Sequence, residues 1–391
     1  MTKNFENYVL PTYARAHIEF VSGKNAILYD ADGRDYVDFA SGIAVCSVGH
    51  ANERLNSAIK KQLDNLTHTS NLYYIAPQGE CAKKLVELSG YKMKCFFANS
   101  GAEANEGAIK IARKYGESNS MPKRYKVITL DNSFHGRTIT SLKATAQESM
   151  HNYFGPYPDG FVYAKNIDEI ALLIDDHTVA VLLELVQGEG GVQPQDIAKV
   201  QELERLLRSK DILLMVDEVQ TGIYRTGELL ASNLYGITPD VVTLAKGLGG
   251  GVPIGVVMTT KTDIFAPGDH GSTFGGNFLS TAAAIEVLDI LEEHKNSGEL
   301  DNTLIYFEKA LSKFASSHKA IFLDHVGLGM MRGLRVADAE TLSKIINSAL
   351  REGVVVLKAG RNTLRFLPPL TITKADIDEG FARLEKALES I

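Results

Sequence analysis

Six short apolar runs, separated by longer stretches of helical character, constrain the fold of this 391-residue chain more than any other feature. Each run is too short to span a membrane and has the length of a strand that is buried on both faces. The runs cover residues 95–98, 125–130, 179–186, 212–216, 241–245 and 254–258, and the predicted helices cover 52–63, 77–88, 103–115 and 198–208. Strands that alternate with helices predict an α/β domain with a largely parallel sheet covered on both faces.

The two ends of the chain have a different character. Residues 24–39 predict a β-hairpin, because two alternating segments flank Asp32-Gly33, a strong turn signal. From about Ser280 onward, long amphipathic helices precede a short strand-rich segment, VVVLKAGRNTLRFLPPL. We interpret this region as a second, smaller domain that the N-terminal hairpin helps to complete. The expected division is an N-terminal segment at 1–45, a large domain at 46–280 and a small domain at 281–391.

Composition narrows the classes of function. A formal net charge of −7 argues against a nucleic-acid or anionic-membrane partner, because either would usually require a basic face. Cys46, Cys81 and Cys95 form neither a disulfide framework nor a C-x-x-C metal motif, so free thiols in a reducing compartment are the simpler interpretation. The first residues also lack the apolar core of a signal peptide. We therefore expect a cytoplasmic protein.

Four strand ends carry the residues that predict chemistry, because ligands of open α/β sheets gather at the carboxyl ends of the strands. After the first run, Ser100 and Glu103 form a capping-box pattern that begins a helix. The turn and the helix N-terminus could form an anion site, and the small Gly101 and Ala102 would let a phosphate approach the backbone closely. Taken alone, this segment is explained more simply as a plain capped helix.

Two further strand ends carry charged residues. ILLMVDEVQTG places Asp217 and Glu218 after a central run, where a buried carboxylate is costly unless it meets a cation or hydrogen-bond donors. A structural salt bridge would explain this segment equally well. VVTLAKGLGGGVPIG places Lys246 between an apolar strand and a glycine-rich loop, where desolvation lowers the pKa of lysine and favours the neutral amine of Schiff-base chemistry. Val252 and Ala245 stand where a dinucleotide fingerprint and a P-loop, respectively, require glycine.

The fourth strand end is followed by Phe134, His135 and Arg137. A single histidine is more often structural, whereas an aromatic side chain close to an arginine suits a planar, anionic ligand. A phosphate cradle, a buried carboxylate, a desolvated lysine and an aromatic ring together match pyridoxal 5′-phosphate, whose pyridinium nitrogen requires an acidic partner. The chain lacks the H-E-x-x-H and G-x-S-x-G motifs, so neither a metal site nor a serine hydrolase is expected.

An ordered series of longer motifs also runs through the chain: SGAEANE, SFHGRT, QGEGG, DEVQTG, TLAKGLGGGVPIG, HGSTFGGN and LRFLPPL. In this order they resemble the class-III (ω-amino acid) aminotransferases, which are pyridoxal-phosphate enzymes of fold type I. ASGIAV and GDHGSTFGGN are especially similar to the acetylornithine branch, and the resemblance covers essentially the whole chain. It implies a large domain with a mostly parallel seven-stranded sheet between helices, a smaller α+β domain, and a homodimer with shared active sites.

The resemblance further implies roles for individual residues around the cofactor ring. Lys246 would be the Schiff-base lysine, and Asp217 would bond the ring nitrogen. Phe134 and Val219 would cover the two faces of the ring, and Gln220 would bond its oxygen. These assignments follow from the position of each residue in a shared motif.

The cofactor phosphate would be held by Ser100, Gly101 and Ala102. Thr273 would reach the phosphate of the neighbouring subunit's cofactor, with Ser272 beside the substrate there. The family usually has threonine where this chain has Ala102, which would cost cofactor binding about 1 kcal/mol for one lost hydrogen bond. It also usually has Glu-Pro where this chain has Glu184-Leu185.

For the substrates, Arg137 would hold the α-carboxylate of N2-acetylornithine, and Arg365 that of glutamate or 2-oxoglutarate. Glu189 would pair with Arg365 while the other substrate is bound, because one site must accept two differently placed carboxylates. The expected activity is acetylornithine aminotransfer to 2-oxoglutarate in arginine biosynthesis, with succinyl-diaminopimelate as a further substrate. Ornithine, succinylornithine and 4-aminobutyrate aminotransferases, a glutamate-semialdehyde aminomutase and a cofactor-binding regulator stay open as alternatives. Lys246 and Asp217 argue against the regulator, which would need no proton-shuttling lysine.

Overall fold

The computed structural model of the protein describes residues 2–119, 121–389 and 391. Its strands are β1 (Phe20–Lys24), β2 (Ile27–Asp30), β3 (Asp35–Asp38), β4 (Lys94–Ala98), β5 (Lys126–Leu130), β6 (Phe161–Ala164), β7 (Thr178–Leu183), β8 (Val186–Gln187), β9 (Gln193–Pro194), β10 (Leu213–Asp217), β11 (Val241–Leu244), β12 (Gly255–Thr259), β13 (Asp324–Leu328), β14 (Met331–Arg335), β15 (Val354–Val355), β16 (Leu357–Ala359) and β17 (Thr363–Phe366). Its helices are α1 (Thr2–Tyr8), α2 (Ser41–Ala44), α3 (Glu53–Leu63), α4 (Ala76–Ser89), α5 (Gly101–Asn119), α6 (Ile139–Ala144), α7 (Ile167–Leu173), α8 (Ile197–Ser209), α9 (Ala231–Tyr235), α10 (Phe278–Asn296), α11 (Glu299–Ser317), α12 (Ala339–Arg351) and α13 (Lys374–Glu389).

Among the described residues, seven strands form the central sheet, in the order β4-β12-β11-β10-β7-β5-β6. All neighbouring pairs are parallel except the two that contain β12. In the middle of the sheet, Met215 of β10 lies opposite Val241 of β11 and Leu182 of β7. The α/β class and the mostly parallel seven-stranded sheet expected from the sequence are confirmed. The predicted apolar runs form six of its strands, and β6 at the edge was not predicted.

Helices cover both faces of this sheet. Successive residues of each strand point to opposite faces, so every strand contributes to two apolar clusters. On one face, α5 packs against β7 through Ala108, Ala112 and Leu182, which belong to one buried cluster. On the other face, Leu203 of α8 and Ile170 of α7 belong to a second buried cluster. This double cover explains why the strands are continuously apolar.

The predicted helices correspond to α3, α4, α5 and α8, and side-chain caps define where two of them begin. The Asn52 side chain accepts hydrogen bonds from the backbone N–H groups of Arg54 and Leu55 at the start of α3. Asp196 accepts from the N–H group of Lys199 at the start of α8. Such caps satisfy the backbone donors that lack partners within the first turn of a helix.

The N-terminal strands join the C-terminal region in a separate sheet of order β1-β2-β3-β15, in which Val37 lies opposite Val354. The predicted hairpin is present as β2 and β3. Its turn is longer than the two residues expected, because Asp30 N donates to Arg34 O and the Asp30 side chain accepts from the N–H of Asp32.

The remaining strands and helices build an α+β region near the C-terminus. A sheet of order β13-β14-β17-β16 has antiparallel neighbours throughout, and α13 packs against α11 and α12. The expected domain boundaries after residues 45 and 280 stay a prediction. At the second of these positions, α10 runs on as a continuous helix that contacts both α4 and α11. Within the part of the chain that is described, no helix combines the length and the apolar character needed to cross a membrane.

Candidate active site

A cavity of about 410 Å³ opens at the carboxyl edge of the central sheet. Residues from all four predicted strand ends line it. The predicted site residues that line this cavity are Ser100, Gly101, Ala102, Phe134, Arg137, Asp217, Val219, Gln220 and Lys246. The sheet therefore brings together side chains that lie far apart in the sequence.

Asp217 ends the central strand β10 and is held by three hydrogen-bond donors. Its Oδ2 accepts from Asn105 Nδ2 at 2.7 Å and from His135 Nδ1 at 2.8 Å, and its Oδ1 accepts from Val219 N at 3.0 Å. The side chain is only 4% exposed, so these donors replace the water that a buried carboxylate loses. Asn105 was not predicted, and His135, for which a structural role is the simpler expectation, holds the Asp217 carboxylate in place.

Lys246 follows β11 at the start of a 3₁₀ helix, Lys246–Gly249. Its φ of +43° lies in the left-handed region, a strain of about 1–3 kcal/mol that is often found at functional sites. The side chain is half-buried at the cavity, and none of the described residues forms a hydrogen bond or ion pair with its amine. Burial, together with the nearby guanidinium of Arg365, lowers the pKa of Lys246. The unprotonated amine is thereby favoured.

Helix α5 begins at the cavity. Ser100 Oγ accepts from Glu103 N at 3.2 Å, as the capping pattern predicted. The Glu103 carboxylate accepts from Asn99 N at 2.9 Å and not from Ser100 N, so the reciprocal bond lies one residue earlier than in a capping box. The N–H groups of Gly101 and Ala102 have no acceptor among the described residues. Together with the positive end of the helix dipole, they can bind an anion.

Phe134 and Arg137 follow β5 at the mouth of the cavity. The exposed guanidinium of Arg137 lies over the Phe134 ring, 5.7 Å from its centroid. A cation held above an aromatic face in this way remains free to pair with an anion arriving from solvent.

Glu184 also lines the cavity, although it was not predicted as a site residue. It follows β7 directly, and its side chain accepts hydrogen bonds from the N–H groups of Phe134 at 3.0 Å and Gly188 at 3.2 Å. Burial raises the pKa of Glu184 to about 7. A single acidic residue between two strand ends carries no spacing motif, so only the folded chain identifies it.

Arg365 lies on β17, outside the lining of the cavity, and its guanidinium contacts the lining residue Gln220. Its Nη1 lies 2.5 Å from Glu189 Oε1 and 3.3 Å from Gln220 Oε1. Gln220 itself lines the cavity. The structure therefore brings Glu189 and Arg365 together next to the site.

Ser272 and Thr273 do not line this cavity. They lie in an adjoining cleft of about 340 Å³, whose wall includes Asn99. Asn99 also lines the main cavity, and its Nδ2 donates to Ser272 Oγ at 3.1 Å. Within one chain, Asn99 therefore lines both the cavity that contains Lys246 and the cleft that contains Ser272 and Thr273. The described residues also contain no group of three or more His, Cys, Asp or Glu side chains able to hold a metal ion.

Comparison with known proteins decides the family. A family model described as aminotransferase class-III matches residues 9–388. The chain belongs to the class-III aminotransferases. It is 62% identical over 387 residues to the acetylornithine aminotransferase of Wolinella succinogenes, covering 99% of this chain and 98% of that protein. It is 41% identical over 394 residues to the acetylornithine/succinyldiaminopimelate aminotransferase of Buchnera aphidicola, covering 99% and 96%.

The fold of this aminotransferase also matches solved structures. The ornithine aminotransferase of Toxoplasma gondii superposes with a TM-score of 0.93 at 32% identity, covering 100% of this chain and 94% of that one. A second structure of the Toxoplasma gondii enzyme contains pyridoxal 5′-phosphate at partial occupancy in its active site.

Pyridoxal 5′-phosphate is the cofactor of class-III aminotransferases, and the cavity fits it. The amine of Lys246 lacks a partner within the described residues, the amides at the start of α5 are free, and Asp217 offers a fixed buried carboxylate. These features supply what the aldehyde, the phosphate and the ring nitrogen of this cofactor need.

Proposed function

We propose that this class-III aminotransferase moves the ω-amino group of N2-acetylornithine to 2-oxoglutarate, with N-acetylglutamate semialdehyde and glutamate as the products. The pairing of Arg365 with Glu189 beside the cavity carries this proposal, because it provides a carboxylate-binding cation that can be neutralised. Arg137 at the mouth provides a second cation. The 62% identity with the acetylornithine enzyme of Wolinella succinogenes supports this choice of substrate.

When bound, pyridoxal 5′-phosphate supplies an aldehyde that receives the amino group and a ring that withdraws electrons from the neighbouring bonds. Asp217 would hold the ring nitrogen, since His135 and Asn105 fix its carboxylate. Phe134 would cover one face of the ring and Val219 the other. Each of these side chains lines the cavity or supports one that does.

The phosphate and the ring oxygen have their own proposed partners. Ser100, Gly101 and Ala102 present the first turn of α5, with two N–H groups that lack an acceptor among the described residues. Gln220 also lines the cavity, and its amide would meet the ring oxygen. Lys246, which lines the same cavity, would then be the residue that meets the aldehyde.

Lys246 is the proposed catalytic residue. Its lowered pKa keeps the amine available both for covalent attachment to the aldehyde and for taking a proton from the substrate carbon that bears the amino group. Lys246 would return that proton to the cofactor side, and one water molecule would then cleave the carbon–nitrogen bond, supplying the aldehyde oxygen of the product and leaving the amino group behind. In the second half-reaction, 2-oxoglutarate would take up the amino group by the reverse sequence. The enzyme therefore alternates between two substrates in one site.

Discrimination between those substrates is assigned to the two arginines. Arg137 is exposed and can pair with the distant α-carboxylate of acetylornithine while the ω-amine is at Lys246. Arg365 is paired with Glu189 in that state, which prevents an unpaired buried cation. When 2-oxoglutarate enters, its α-carboxylate replaces Glu189 as the partner of Arg365.

A homodimer with shared sites is part of the proposal. Ser272 and Thr273 lie in an outer cleft, and Asn71 Nδ2 donates to Ser272 O at 2.9 Å. The adjoining Leu72, Tyr73, Tyr74 and Phe274 side chains are largely exposed apolar groups, as expected of an interface. Mixing inactive Lys246→Ala and Thr273→Asp subunits should restore about a quarter of the wild-type sites, since half the dimers carry one intact site. No recovery on mixing would contradict shared sites.

We also place the enzyme in the cytoplasm. Cys46, Cys81 and Cys95 are all unpaired, and Cys81 is fully buried. Free thiols persist in reducing compartments, which supports this location.

A substrate panel tests the proposed activity. With 2-oxoglutarate as acceptor, acetylornithine should give a kcat/KM at least about 10-fold above that of ornithine or 4-aminobutyrate. Ornithine would bring a second cationic amine close to Arg137, and 4-aminobutyrate lacks the acylated head altogether. Succinyl-diaminopimelate is the second candidate, because the Buchnera aphidicola relative carries both names. Preference for ornithine would contradict the proposal.

A further inference from the structure

Glu184 occupies a central place at the carboxyl edge of the sheet. It follows β7, which lies between β10 and β5 in the strand order. Strand β10 ends at Asp217, and β5 leads to Phe134. The Glu184 carboxyl, 6% exposed, therefore lies between the residues proposed to hold the cofactor nitrogen and to cover the ring face.

Each oxygen of this carboxyl group accepts one backbone N–H group from a different segment. Oε2 accepts from Phe134 N at 3.0 Å, and Oε1 accepts from Gly188 N at 3.2 Å. Three residues after Phe134 comes Arg137, and Glu189 directly follows Gly188. We call residues 134–137 the Arg137 arm and residues 188–189 the Glu189 arm.

The Glu189 arm fits closely against the site. A Cβ atom at Gly188 would lie 2.5 Å from Gln220 Oε1, so the backbone there contacts a cavity-lining side chain directly. Gln220 Oε1 also accepts from Arg365 Nη1 at 3.3 Å. A shift of the Gly188 backbone would therefore also move Glu189 and Gln220, the two partners of Arg365.

Glu218 provides a contrast. It too is a buried carboxyl group that follows a central strand, at 1% exposure. Its oxygens accept from Thr221, Ala231 and Ser232, which belong to the segment that follows it in the chain. It is absent from the described residues that line the cavity. The hydrogen-bond acceptors of a buried carboxylate can therefore be satisfied without bridging two arms of the site. Glu184, unlike Glu218, does bridge them.

We infer that Glu184 is a positioning residue that fixes the spacing between the Arg137 arm and the Glu189 arm, and hence between the two carboxylate-binding sites. This inference rests on the proposed function. A carboxylate suits the role because both of its oxygens accept hydrogen bonds. Glutamine has the same shape, but its NH₂ group would face one of the two N–H donors and release one arm.

The test compares Glu184→Gln with the matched control Glu218→Gln, both as holoenzymes. In Glu184→Gln, the KM of the substrate whose carboxylate is bound by the released arm, acetylornithine or 2-oxoglutarate, should rise about 10-fold, the equivalent of one hydrogen bond to a charged group. The kcat should change by less than about threefold, since Glu184 is not expected to contact reacting atoms. In Glu218→Gln, the melting temperature should fall while both KM values stay within about twofold.

Amide hydrogen exchange gives a second measurement that does not depend on turnover. Peptides covering 134–137 or 188–189 should exchange faster in Glu184→Gln and be unchanged in Glu218→Gln. If Glu184→Gln does not fold, Glu184→Asp replaces it, since the shorter side chain keeps the charge but cannot reach both amides. The same increases in KM and exchange are expected.

Unchanged KM values with unchanged exchange in both arms would overturn the inference. A loss of kcat above about 100-fold at constant KM would also overturn it, because that pattern belongs to a residue acting in the transition state. Wild-type protein inactive toward both substrates would refute the proposed function instead, and the exchange comparison would still decide the role of Glu184.

Discussion

Arg365 Nη1 lies 2.5 Å from Glu189 Oε1 at the edge of the cavity. The Arg365 side chain is 3% exposed, whereas that of Glu189 is 29% exposed. A buried guanidinium that loses its anion is costly, so an anion beside Arg365 stabilises the protein at every stage of a reaction. Glu189, the more exposed partner, is the one able to leave when a substrate carboxylate arrives.

Replacing Glu189 tests this exchange of partners. In Glu189→Gln, Arg365 lacks its internal anion, so the KM for 2-oxoglutarate should fall about 5-fold and that for acetylornithine should rise. Titrating each half-reaction through the visible absorbance of the cofactor measures the two effects separately. Glu379→Gln, which alters an exposed ion pair with Arg383, is the control and should change neither value. A parallel change in both KM values would contradict the proposed switch.

Arg137→Ala removes the cation at the mouth of the cavity. The KM for acetylornithine should rise by more than about 10-fold, because a charge-assisted bond to its carboxylate is lost. The KM for 2-oxoglutarate should change little, since Arg365 holds that carboxylate. Steady-state kinetics with each substrate varied in turn provides the measurement. Equal losses for the two substrates would mean that the carboxylate roles are misassigned.

Ala102 stands where the family usually has threonine, which offers a gain-of-function test. Ala102→Thr should tighten pyridoxal 5′-phosphate binding about 5-fold through one hydroxyl contact to the phosphate. The comparison variant is Ala102→Val, which has the same shape but no hydroxyl group and should give no gain. Dissociation constants follow from titrating the apoenzyme with cofactor. Equal dissociation constants for the threonine and valine variants would show that the threonine hydroxyl makes no contact with the phosphate.

The His50–Asp38 pair predicts a pH dependence of stability. His50 Nε2 lies 2.7 Å from Asp38 Oδ2, and this hydrogen bond raises the pKa of His50 from 6.5 to about 9. Because the folded-state pKa is raised, the stabilisation is fully present below pH 6.5 and is lost as the pH rises through about 9. Asp38 Oδ1 also accepts from Ala40 N and Ser41 N, contacts that do not titrate in this range.

Asp38→Asn should therefore lower the free energy of unfolding by about 1–2 kcal/mol more at pH 6 than at pH 10. This value allows for solvent screening of the half-buried pair. Denaturant unfolding at both pH values measures the difference. In a protein that already carries His50→Asn, the Asp38→Asn substitution should lower the free energy of unfolding by the same amount at both pH values. If the difference in the free energy of unfolding between wild type and Asp38→Asn grew as the pH rises, the stabilisation could not come from a protonated His50.

The central sheet could be predicted from the sequence because its strands are buried on both faces. β10 and β11 are apolar along nearly their whole length, which leaves few alternatives. β6 was not predicted, since its FVYA sequence is short and mostly half-buried at the edge of the sheet. The bounds of helices and strands shifted by one or two residues in most cases, as hydrogen bonds at their ends decide where they stop.

The site could be predicted only in part. Lys246, Asp217 and Phe134 follow recognisable strands, so their convergence follows from the rule for parallel sheets. Asn105 and Glu184 carry no such signal, because their partners lie up to 112 residues away and are set by the folded chain. The pairing of Glu189 with Arg365 was expected through family resemblance alone.

Lys246 carries the proposed chemistry, so its replacement is the decisive experiment. Wild-type protein saturated with pyridoxal 5′-phosphate should lose its visible absorbance band on addition of acetylornithine and regain it with 2-oxoglutarate. Lys246→Ala should still bind the cofactor but show no turnover, whereas the control Lys94→Ala, which alters an exposed ion pair with Asp263, should behave as wild type. Appreciable turnover by Lys246→Ala would refute the catalytic role of Lys246, and a wild-type band that no ω-amine bleaches would refute the proposed aminotransferase activity.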